Sequence, residues 1–158
     1  DLVPTFITTK HRIDLTFHKL EKKINKVIDE YDKNKGMTIG LSKDLGIITH
    51  YIADYFTFPH NIEYPGTMTE HIHYEAQLKV DFREFVQKMK EKHAHFQEVN
   101  MQSADEICTF IRKCHEEYLH AVKSVENDCR YILQICAQVV GAILHLLQQN
   151  SMPLGCYM

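Results

Sequence analysis

The chain has 158 residues, 44% apolar and 25% charged, which suits one domain with a sizeable core. Eighteen Lys and Arg against twenty-one Asp and Glu leave a net charge of −3, so no basic excess is present to grip nucleic acid. Five cysteines, an odd number with no CxxC pair, argue against a disulfide framework and for reduced core thiols.

In chain order, Ile13, Phe17, Leu20, Ile24, Val27, Ile28 and Tyr31 recur at spacings of three and four. They predict an amphipathic helix over 11–32, with DKNKG as its polar exit. A second helix is expected from a Ser42 cap, with Leu41 as a residue that could already lie inside it. It is apolar on most sides, the pattern of a central bundle helix, and Pro59 ends or bends it. A loop over 61–69 with a Pro65-Gly66 turn leads to a third helix, opened by Thr67 or Thr69 and running to His95. Its apolar stripe is Ile72, Leu78, Phe82, Phe85, Val86 and Met89. Ser103 and Glu106 read as a capping box for a fourth helix through Lys123. Val125 to Gln149 is again helical, and with no breaker before it the last two segments could form one long bent helix.

Alternating strand patterns and fixed-period repeats are both missing. The expected fold is all-α: a single multi-helix, bundle-like domain over 1–150 with a loosely packed tail at 151–158. No stretch holds eighteen uninterrupted apolar residues, so no transmembrane segment is expected. The absence of a visible signal peptide and the odd cysteine count favour a cytoplasmic over a secreted setting. The chain begins at Asp1 rather than Met, which leaves room for upstream residues.

Chemistry concentrates between residues 50 and 75. His50 with Asp54 and His71 with Glu75 are both i,i+4 pairs, and His60 lies between them. Four residues apart on a helix means one face, one turn apart. An isolated pair of this kind is ordinarily a surface hydrogen bond. Two pairs plus a fifth imidazole suit zinc or a similar divalent ion, and more than one of them. The ten-residue connection would let the second and third helices pack as antiparallel neighbours, with the pairs meeting across their groove. Asp54 and His50 also fall in the most apolar helix, where a buried carboxylate needs a partner. His73 points away from His71 and is left out of the site, and the remaining histidines read as structural.

H-x-x-x-D-x-x-x-x-x-H followed by H-x-x-x-E, here His50, Asp54, His60, His71 and Glu75, resembles the ligand signature of the bacterial zinc-dependent phospholipase C family. HYIAD and HIHYE look like the family's wording around these ligands, and Asp1 with His11 matches its earlier Asp-to-His element in order and spacing. The likeness covers roughly residues 1–80; beyond that it rests on helical character. It implies an all-helical catalytic domain and two or three zinc ions. Asp1, His11, His50 and Asp54 would hold one, and His60, His71 and Glu75 a second with a position open for water. Asp54 can bridge to a third ion, whose other ligands would have to precede Asp1.

The resemblance further implies hydrolysis of a phospholipid or related phosphate ester by metal-activated water, with Asp54 and Asp1 as catalytic carboxylates, Asp1 either as ligand or as general base. Two alternatives stay open: a related metal-dependent nuclease, which the charge balance disfavours, and a non-catalytic helical domain stapled by metal. The oligomeric state is not legible.

Overall fold

The computed structural model describes residues 5–32, 34–61 and 64–149. Among them are helices α1 (Thr5–Asp29), α2 (Ile39–Tyr55), α3 (Met68–Glu91), α4 (Ala104–His120) and α5 (Val125–Gln149). A single 3₁₀ turn, η1 (Phe58–His60), lies between α2 and α3, and no strand occurs among the described residues. The expected all-α architecture is therefore the observed one. The expected tail at 151–158 lies outside the described residues.

Helix α1 buries Ile13, Phe17, Leu20, Ile24 and Val27, the stripe its sequence spacing predicts. α5 contributes Ile132, Ile135, Val139, Ile143 and Leu147, and α4 contributes Ile107, Ile111 and Tyr118. Each buried aliphatic side chain is worth about 1.5–3 kcal/mol of apolar transfer, and together they are the main force holding the helices. α5 packs against α1, α2, α3 and α4, so it is the central helix. By length and composition alone α5 could cross a membrane, but its place among four other helices is that of a core element.

Several expectations need correction. α2 is not central: it lies on α1 and α5, and Leu41, Leu45 and Tyr51 are only partly buried. It also starts earlier than Ser42, because Thr38 is in extended geometry and its hydroxyl accepts the Leu41 N–H at 3.0 Å. α2 and α3 do not pack side by side. α3 lies mainly on α5 and meets η1, because η1 and the connection after it carry the chain across. α4 and α5 are separate helices. Ser124 breaks them by accepting the Asn127 N–H at 3.2 Å, while Lys123 donates to the Tyr118 and Leu119 carbonyls that end α4. Ile72 is exposed rather than part of the α3 stripe.

The start of α3 is a complete capping box between Thr67 and Glu70. Its end comes before the expected His95. The Ala94 N–H reaches back to the Met89 carbonyl and the His93 N–H to that of Lys90, with His93 at φ 48°. This is a Schellman motif with histidine where glycine is favoured. Left-handed backbone costs a residue with a Cβ about 1–2 kcal/mol. His93→Gly is therefore expected to stabilise the fold by up to about 1 kcal/mol, part of the gain being offset by glycine's entropy in the unfolded chain. Urea unfolding at an unchanged m-value would read this directly, and a lowered midpoint, glycine's entropy standing alone, would show the position to be unstrained.

Candidate metal centre

The end of α2, the η1 turn and the first turns of α3 bring five ligand-type side chains into one continuous row. His50 Nε2 lies 3.6 Å from Asp54 Oδ2, and Asp54 Oδ1 lies 3.8 Å from His60 Nδ1. His60 Nε2 lies 2.8 Å from Glu75 Oε1, and the same oxygen is 3.0 Å from His71 Nε2. The donor atoms of His60, His71 and Glu75 all fall within 4.8 Å of one another. Asp1 lies outside the described residues, and His11 falls in the part of α1 described by its backbone alone.

His60 reaches this position because α2 stops at Tyr55. Pro59 cannot donate to a continuing helix, and it sits in the first turn of η1. Asn61 then holds the turn's exit: its Nδ2 donates to the Thr57 carbonyl at 2.9 Å, and its Oδ1 accepts from buried His115 Nε2 at 2.9 Å. Tyr64 folds edge-on against both Phe58 and His71. Gly66 permits that approach, since a Cβ there would lie 2.4 Å from the Tyr64 ring.

The expected burial of His50 and Asp54 does not occur. The His50 side chain is 67% exposed and that of Asp54 33%, because helical spacing sets both on the side of α2 opposite the buried Ile48, Ile52 and Tyr55. The other end of the row is more enclosed, with His71 only 13% exposed. His73 is exposed and apart from the cluster, as its spacing from His71 predicts.

The donor set fits zinc. Ligand atoms around a tetrahedral zinc ion stand about 3.4 Å apart, so the Glu75 oxygen, at 2.8 and 3.0 Å from the two imidazole nitrogens, needs to draw back from them by only about half an ångström. The hydrogen bonding of His60 points the same way. Its Nδ1 lies 3.1 Å from the Asp54 backbone carbonyl, while its Nε2 faces the Glu75 carboxylate. A neutral ring has one N–H for these two acceptors, and a cation between Nε2 and the carboxylate would satisfy the second. A backbone carbonyl on the far ring nitrogen is the usual orienting partner of a metal-ligating histidine. Partial burial works to raise the Glu75 carboxyl, but hydrogen bonds from His60 and His71 outweigh it and hold it below its ordinary value.

A family model described as zinc dependent phospholipase C matches residues 1–128. The chain belongs to the zinc-dependent phospholipase C family. No curated protein and no solved structure matches it significantly. Membership places the domain, at a coarse level, among zinc-dependent hydrolases of the phospholipase C kind. The match extends past α3 through α4 and into α5, farther than the motif-bearing residues 1–80.

Four residues around this candidate centre escape a motif reading: Asn61, Tyr74, His115 and Asp128. Asp128 is fully buried and accepts from the Phe58 N–H, the Tyr74 hydroxyl and the Tyr118 hydroxyl at 2.8–2.9 Å. One signal was available. Asp128 continues the buried stripe of α5 through Ile132, Ile135 and Val139, and an acid on such a stripe demands partners. The four free cysteines among the described residues are buried or half-buried, and burial pushes their thiols up to about 11 or 12, as core packing implies.

Proposed function

We propose that this domain hydrolyses a phospholipid or a related phosphate ester with zinc as its cofactor. The convergence of His60, His71 and Glu75, in a chain of this family, is the observation that supports it. In this reading these three residues hold one ion. His50 and Asp54, with Asp1 and His11, hold a second, and a third requires ligands upstream of Asp1.

Zinc bound there would supply Lewis acidity toward phosphoryl oxygens and a means of lowering the pKa of water toward neutrality. The protein's own groups prepare that chemistry. The Asp54 backbone carbonyl orients the His60 ring, and Glu75 holds both imidazoles on one carboxylate oxygen. The Asp54 carboxylate stands between His50 and His60, 3.6 and 3.8 Å from their ring nitrogens, and would be within reach of either imidazole's ion. The exposed edge formed by His50 and Glu75 leaves the ester a way in.

Elemental analysis and a chromogenic phosphocholine ester test this together. The expected result is two zinc ions per chain, turnover lost to a chelator and restored by zinc, and turnover abolished in Asp54→Asn. Zinc without turnover on any phosphate ester would replace the enzyme with a domain in which the ion staples η1 to α3. A chain that takes up no zinc would end both readings.

A further inference from the structure

We infer that Asp128 is a positioning residue for the His60, His71 and Glu75 centre, acting through Phe58 and Tyr74. The inference rests on the metal reading above. Phe58 opens η1, two residues before His60. Tyr74 lies on α3, three residues after His71 and one before Glu75. The Phe58 N–H and the Tyr74 hydroxyl both end on the same atom, Asp128 Oδ2, each at 2.9 Å. Two segments that carry the ligands are thus held to one oxygen, and that oxygen sets the spacing of His60 from the pair on α3.

The third donor differs. The Tyr118 hydroxyl comes from α4 and reaches Oδ1 at 2.8 Å, and no ligand-type residue of the row lies on α4. Burial pushes the Asp128 carboxyl up, against the Phe58 N–H, the two hydroxyls and the charge of Lys123. α3 itself buries no residue outright, Leu78 and Phe82 packing against the core only in part, so these links add to its seat on α5. If the cluster were merely a satisfied core network, the two tyrosines would be equivalent, each giving one hydroxyl to one carboxylate. If Asp128 spaces the ligands, they are unequal.

Tyr74→Phe and Tyr118→Phe each delete one of those hydroxyls and keep the ring. Zinc affinity is measured on the full folded chain by competition with a fluorescent chelator, alongside the visible spectrum of the cobalt-substituted protein and the thermal midpoint of the metal-free one. The expected result is a similar loss of thermal stability in both variants. Zinc affinity falls about tenfold in Tyr74→Phe, the low end for the loss of a partner behind a ligand, and stays near wild type in Tyr118→Phe. The cobalt bands shift only in Tyr74→Phe. Equal zinc affinity in the two variants, unchanged or lowered alike, overturns the inference while leaving the metal reading intact. A wild-type chain with no zinc affinity overturns both.

Discussion

Glu75→Gln is expected to weaken zinc binding by at least about a hundredfold, because losing even a partner behind a ligand costs ten- to a hundredfold. Glu75 is the one anion in the His60, His71 and Glu75 cluster, and a single oxygen of it meets both imidazoles. Glutamine keeps the length and shape but replaces a charged donor with a neutral carbonyl, a poor partner for a dication. Hydrolysis would fall with occupancy. The metal-free fold should barely change, since the Glu75 side chain is 46% exposed and its ion pairs are screened by solvent. Titration with zinc and urea unfolding in chelator separate the two effects. Undiminished zinc affinity in Glu75→Gln would remove this residue from the ligand set.

Acid is expected to destabilise the fold through His115. Its ring is buried, stacks on Tyr55 at 3.8 Å between centroids, and donates from Nε2 to Asn61. Burial lowers its pKa from 6.5 to about 4, with the Tyr55 carbonyl working the other way and the charge of Lys123 lowering it further. The direction follows from linkage. Above pH 6.5 the ring is neutral folded and unfolded. Between pH 6.5 and 4 the unfolded chain binds a proton that the folded chain refuses, so stability falls as pH falls. The loss totals about 3 kcal/mol and levels off below pH 4.

His115→Gln would lower stability at neutral pH by losing the stack, yet flatten this acid slope. Asp128 opposes the trend, because its raised carboxyl pKa favours the fold as it protonates. Both proteins carry Asp128, so the difference between their slopes isolates His115. Parallel slopes in urea unfolding across that range would show that the ring titrates normally.

The ligand row was legible because its residues are local. His50 with Asp54 and His71 with Glu75 need only helical spacing, and His60 needs only a turn after Pro59. The buried stripes of α1 and α4 and the cap at Thr67 were legible for the same reason: each is written within one or two turns of chain. What failed was long-range. Nothing near Asp128 says that it will meet Phe58, seventy positions earlier in the chain, or Tyr74, fifty-four earlier. Nothing near α3 says that it will choose α5 over α2. An apolar helix such as α2 signals how much surface it can bury, not which helices will cover it, and His50 remained in solvent for that reason.

The separation between the ligand row and its buttress has a consequence for dissecting the protein. Every described member of the row is in place by residue 75, whereas the carboxylate that joins η1 to α3 arrives at 128, the last residue of the family match. A fragment cut before α5 would hold every described member of the row and lack the carboxylate that joins η1 to α3. During synthesis, too, the proposed ligands emerge well ahead of Asp128, so the nascent chain passes through an interval when its imidazoles lack that link.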